Sequence, residues 1–140
     1  MQTPEFLELD DILNIHQILL EQFGGMPGVR DEGLLESALS QPKATFFGKL
    51  LHPTIHEQAA AYLYHIAKNH PFLDGNKRTA YGAMEAFLRL NGYRLTLSNE
   101  QAYNMVMRVA QGEITKNELS DLSSEVITTG IEALCSQGKG

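Results

Sequence analysis

Hydrophobic and polar positions follow a helical period over most of the chain. Between Asp10 and Phe23 the apolar residues Ile12, Leu13, Ile15, Leu19 and Leu20 mostly share one face, which predicts a helix. His16 lies among them and reads as a structural or surface histidine. Gly24-Gly25 stops that helix and Met26-Pro27-Gly28 turns the chain. Asp31 is suited to cap a helix over about 32–40, whose apolar face is Leu34, Leu35, Ala38 and Leu39. Thr54-x-x-Glu57 has the form of a capping box and opens an alanine-rich helix over about 55–69. Small residues there let neighbouring helices approach closely, so this helix is expected at the centre. A further helix over about 76–91 presents Ala80, Ala83, Met84, Phe87 and Leu88 at three- and four-residue spacing. Ser98-x-x-Gln101 and Thr115-x-x-Glu118 are two more capping boxes. They start helices running to about Gln111 and over much of 116–135.

Two stretches escape this period. Phe6-Leu7-Glu8-Leu9 alternates and is expected to be extended, as the partner of a short strand at Tyr93-Arg94-Leu95-Thr96-Leu97. Residues 43–53 have no clean period, and Phe46-Phe47 reads equally well as core plugs or as an exposed contact surface. The expected fold is an all-α, compact bundle of about six helices with at most a minor β element. It forms a single domain over 1–135, and the polar tail 136–140 is expected to be disordered.

Composition narrows the class. The 140 residues are 43% hydrophobic and 20% charged, the profile of a soluble globular domain. A net charge of −6 argues against a nucleic-acid binder that relies on overall basicity. No apolar run reaches the roughly 18–20 residues of a membrane span, and the N-terminus lacks the marks of a secretion signal. The single cysteine, Cys135, cannot form an internal disulfide and reads as inert. A cytoplasmic location is expected. His52 and His56 straddle Pro53 and lack the glutamate of a zinc-protease motif, so they do not read as a metal pair. His65 reads as structural.

The chemistry concentrates in His70-Pro71-Phe72-Leu73-Asp74-Gly75-Asn76-Lys77-Arg78. Pro71 biases His70 away from the α region, so the preceding helix should stop at about Asn69 or His70. The loop then enters the next helix at its N-terminus, where free N–H groups and partial positive charge favour an anion. Lys77 and Arg78 fall in the first turn, the wrong end of a helix for cations. A bound polyphosphate would turn that repulsion into attraction. His70 supplies an imidazole, which changes charge near neutral pH. Asp74 supplies a hard carboxylate suited to Mg²⁺.

This run resembles the core motif of the Fic/Doc family, His-x-Phe-x-Asp/Glu-Gly/Ala-Asn-x-Arg, with His70, Phe72, Asp74, Gly75, Asn76 and Arg78 in register. Lys77 replaces the usual glycine of Fic-type nucleotidyl transferases, and Tyr81 stands where their second arginine falls. Both departures resemble the death-on-curing (Doc) branch, as do residues 24–31, 33–39 and 87–92. The resemblance implies an ATP- and Mg²⁺-dependent transferase. His70, Lys77 and Arg78 would be catalytic; Gly75, Asn76, Lys77 and Arg78 would bind phosphate; Asp74 would hold the metal. In the Doc branch the γ-phosphate goes to a hydroxyl of elongation factor Tu, which blocks translation. The alternatives are a Fic-type AMP transferase and an inactive Fic-like binding module. The resemblance also implies a cognate antitoxin with a disordered tail that folds on binding. The internal inhibitory motif of some Fic proteins is not matched, since Thr96-x-x-x-Glu100 is followed by Gln101. The resemblance also implies that residues 43–53 correspond to a flap near the active site, on which a protein target can lie as an added strand.

Overall fold

The computed structural model describes residues 3–129. Six helices form the bundle: α1 (Leu9–Phe23), α2 (Glu32–Ser40), α3 (Ile55–Asn69), α4 (Asn76–Leu90), α5 (Asn99–Ala110) and α6 (Lys116–Ser124). Two small antiparallel ribbons complete it, β1 (Thr45–Phe46) with β2 (Lys49–Leu50) and β3 (Tyr93–Leu95) with β4 (Ile127–Thr129). The all-α expectation holds. Among the described residues no helix is long and apolar enough to cross a membrane.

The caps form largely as the sequence predicts. Asp31, Ser98 and Thr115 each accept an N–H three residues on, and Gln101 and Glu118 reach back reciprocally. At α3, Thr54 Oγ1 accepts from Glu57 N, but the Glu57 carboxylate takes the Thr54 hydroxyl (2.7 Å) instead of closing the box on the backbone.

α3 lies at the centre. Its alanines 59, 60 and 61, with Tyr62, Leu63 and Ile66, are fully buried. It packs against α2, α4, α5 and α6, while α1 covers α4. The predicted face of α4, from Ala80 to Leu88, is fully buried against it. Gly82 lets α1 come close; a Cβ there would stand 3.0 Å from Ile15 Cγ2. α3 and α4 therefore form a rigid pair, and the loop joining them is the one that carries the motif.

Two expectations are corrected. The N-terminal segment does not pair with β3. Leu7 N–H goes to the Tyr62 hydroxyl (2.8 Å), and Asn91 takes both backbone groups of Glu5 (2.8 and 2.9 Å). With that backbone already partnered, β3 pairs with β4 in the register Tyr93↔Thr129, Leu95↔Ile127. Nor does the last helix run on, because α6 ends at Ser124 and the β-branched run Ile127-Thr128-Thr129 takes up strand. Cys135 and the tail 136–140 lie outside the described residues.

The ambiguous stretch 43–53 resolves as a hairpin with Phe47-Gly48 as its two-residue turn, both at positive φ (49° and 77°). Phe46 and Phe47 are 65% and 89% exposed, with rings edge to face at 4.4 Å. Both rings face solvent, so they are not core plugs.

Candidate active site

The motif loop leaves α3 abruptly. His70 caps α3 in the left-handed region (φ 49°, ψ 54°), a conformation costing a non-glycine residue about 1–2 kcal/mol. The helix ends where Pro71 predicts, but by a left-handed turn and not an extended residue. That turn brings the ring back over its own helix, where Nδ1 meets the Ala67 carbonyl at 2.9 Å. A carbonyl only accepts, so Nδ1 carries the proton and donates it. The Nε2 lone pair of the neutral ring is then free, on an exposed residue.

The loop is held on three sides. Asn76 is buried, and its amide grips both backbone groups of Phe72: Oδ1 accepts from Phe72 N (2.9 Å) and Nδ2 donates to Phe72 O (3.0 Å). That side chain serves the loop, leaving its backbone N–H for an anion. Phe72, 1% exposed, anchors the loop in the core as its residue type suggests. His16 on α1 stacks flat on Phe72, with centroids 3.8 Å apart and planes at 11°, and its Nε2 donates to Asp74 O (2.8 Å). The third side is the turn before α2. Arg30 N and Asp31 N both reach Pro71 O (2.7 and 3.1 Å), Leu73 N reaches Gly28 O (3.0 Å), and Met26 N reaches Asp74 Oδ2 (3.1 Å).

Asp74 is exposed and receives two backbone N–H groups, from Met26 on Oδ2 and from Gly75 on Oδ1 (2.9 Å). Those bonds, Met26 first, hold its carboxyl below the usual carboxylate range, with smaller help from Arg78 and His16. It is therefore an ionised carboxylate with lone pairs still facing solvent. Mg²⁺ is often held by one or two carboxylates plus substrate phosphates, and Asp74 fits that donor set. Among the described residues there is no cluster of three or more carboxylate, imidazole or thiol groups that would make a self-contained metal cage.

Gly75 enters α4 in the left-handed region (φ 77°). Its N–H is taken by Asp74 Oδ1. Thr79 N is bonded to Gly75 O (3.0 Å), which leaves the N–H groups of Asn76, Lys77 and Arg78 at the helix start. Lys77 and Arg78 are both exposed. The Arg78 guanidinium lies over the Phe23 ring, 4.3 Å from its centroid. Tyr81 is packed against the core, and burial, then Glu85, pushes its hydroxyl up to about 12. It is a neutral residue at the position of the Fic second arginine.

Thus the structure brings His70, Asp74, Lys77 and Arg78 together at one loop and helix start. Sequence reasoning missed three contributors to this arrangement: Arg30, Phe23 and the loop-facing role of His16. Each reaches the loop from a distant part of the chain, and only the apolar setting of His16 hinted at its burial. His65 does stand apart, as a structural residue. Its Nε2 and that of His52 lie 3.2 and 3.4 Å from Lys116 Nζ. The concavities lined by Pro53, Gln58 and Tyr93, and by Phe6, Ile15 and Leu90, share no residue with the motif loop.

A loop with this residue order, entering a helix at its N-terminus, defines a class of protein, and comparison bears it out. Residues 6–88 match the Fic/DOC family. The chain belongs to the Fic/DOC family. Toxin Doc of Mycolicibacterium smegmatis is 44% identical over 91 residues, covering 65% of this chain and 68% of that protein. Protein kinase doc of Escherichia phage P1 is 31% identical over 112 residues, covering 80% of this chain and 87% of that one. Both relatives are Doc proteins, the branch that Lys77 and Tyr81 resemble.

Proposed function

We propose that this chain is the toxin of a toxin–antitoxin pair and transfers the γ-phosphate of ATP to a hydroxyl of a protein target. The observation that carries this reading is the geometry of His70. Its Nδ1–H is committed to Ala67 O, leaving Nε2 as an acceptor beside a helix start that bears two cations and a carboxylate. The names of the two Doc relatives, a toxin and a protein kinase, support the same reading.

In the proposed step the substrate hydroxyl gives its proton to His70 Nε2. Its oxygen forms a bond to the γ-phosphorus, and the bond to the β–γ bridging oxygen breaks with its electron pair leaving on ADP. Lys77, Arg78 and the N–H groups of residues 76–78 stabilise the charge on the phosphate oxygens. Asp74 would hold Mg²⁺, which would supply further charge neutralisation. Gly75 provides the turn that lets the backbone meet the phosphates. Elongation factor Tu is the proposed target, with arrest of translation as the result. The Phe46-Phe47 hairpin is the proposed surface on which the target lies. Control by a separate antitoxin whose tail folds on binding completes the proposal.

Lys77 and Tyr81 favour phosphate over AMP transfer: bulk and charge replace the glycine that would let a nucleotide lie close, and a neutral phenol replaces an arginine. The test uses ATP labelled at the α or the γ position, incubated with Mg²⁺, bacterial lysate and the protein, beside a His70→Ala control. Transfer of γ-label to one band at the size of elongation factor Tu, absent in the control, is the expected result. Transfer of α-label would establish an AMP transferase, and transfer of neither would point to a binding module.

A further inference from the structure

We propose that Arg30 is a positioning residue for the transfer reaction, gripping the backbone of His70 so that its Nε2 faces the substrate. This rests on the reading of His70 as the base. Arg30 Nε donates to His70 O at 2.7 Å, and Nη2 donates to Asn69 O at 2.9 Å. One guanidinium fork therefore closes on two successive carbonyls at the end of α3, from 40 residues away. A cation at a helix C-terminus is favourable in itself. Here the carbonyls it holds belong to the proposed base and its neighbour, at the one non-glycine residue of the motif whose backbone is left-handed.

The mounting of Arg30 is as telling as its reach. Its own N–H is bonded to Pro71 O, the next carbonyl after His70, and Asp31 N–H shares that oxygen. Asp31 is also the cap of α2. Arg30 is thus fixed by its backbone to one side of His70 and by its side chain to the other. Without the fork, His70 loses what offsets its left-handed strain. The backbone then relaxes toward the extended region that Pro71 favours, and the Nδ1–H bond to Ala67 O opens. The base no longer presents Nε2 from a fixed place.

Arg30 is exposed, so its replacement creates no buried cavity. Arg30→Gln and Arg30→Lys are both informative, because a lysine ammonium keeps the charge but lacks the planar fork that spans two carbonyls. Two readouts are needed. The first is γ-label transfer, resolved into kcat and KM for ATP. Both variants should lose kcat on the order of 10- to 100-fold, the scale of a misplaced catalytic group, with KM for ATP within about twofold because Arg30 touches none of the phosphate-binding groups. The second is the ring-nitrogen NMR spectrum of ¹⁵N-histidine protein, with the His70 signals assigned by their loss in His70→Gln. Wild type should show the Nδ1–H tautomer, and both variants should show it lost or mixed.

A changed tautomer together with a kcat defect supports the proposal. An unchanged tautomer overturns it whatever the activity, as does a changed tautomer with full kcat. If wild type transfers no label at all, the kinase reading falls. The tautomer then still decides whether Arg30 holds His70.

Discussion

His16 and Asp74 are 58 positions apart, yet His16 Nε2 donates to the Asp74 carbonyl at 2.8 Å. Because a carbonyl cannot donate, the Nε2 proton is fixed, and α1 thereby holds the residue proposed to take Mg²⁺. His16→Ala removes both this bond and the stack on Phe72. It should destabilise the protein by about 2–3 kcal/mol in urea denaturation and abolish transfer. His16→Phe keeps a flat ring on Phe72 and should recover most of the stability but little of the activity. Full activity in His16→Phe would show that the bond to Asp74 O is dispensable.

Gly25 leaves room for the same carboxylate. It has φ 128°, and a Cβ added there would stand 2.9 Å from Asp74 Oδ2 and 2.9 Å from Leu20 Cδ2. Gly25→Ala should cost about 1–2 kcal/mol of stability and raise several-fold the Mg²⁺ concentration needed for half-maximal transfer. A titration with Mg²⁺ at saturating ATP measures the second effect, which strain alone would not produce.

The cluster of His52, His65 and Lys116 predicts a pH dependence of stability. Burial, then Lys116 and then His52, lowers His65 to about 4, below its ordinary value of 6.5. Burial and then Lys116 also lower His52. Both rings accept from an ammonium, and so they resist protonation in the folded state. The unfolded chain binds these protons first as pH falls. Stability is therefore full above about pH 6.5 and declines as pH drops toward about 4. Urea midpoints at about pH 7 and pH 5 should show the fall, and His65→Gln should flatten it.

Phe47 carries strain without burial. It is left-handed at φ 49° and 89% exposed. Asparagine tolerates that backbone better than phenylalanine, so Phe47→Asn should leave the melting temperature unchanged or slightly higher. If the hairpin receives the protein target, the same variant should slow transfer to that target with KM for ATP unaltered. An unchanged transfer rate would remove the hairpin from the target-binding surface.

The sequence by itself determined that there are six helices, four of their caps and the place of the family motif. Those features are local: three- and four-residue apolar spacing buries one face, Asp31, Thr54, Ser98 and Thr115 satisfy helix starts within a turn, and the run 70–78 places an imidazole, a carboxylate and two cations at one helix entry. Tertiary structure decided what holds that run in shape. The N-terminal segment gave its backbone to Tyr62 and Asn91, which left β3 to β4. Phe46 and Phe47 turned outward because a two-residue hairpin left no core within their reach. Asn76 turned its amide inward to Phe72, and His16 and Arg30 reached the loop from α1 and from the turn before α2. Such partners are set by which helices pack together, and no short-range pattern encodes a hydrogen bond between residues 40 or 58 positions apart.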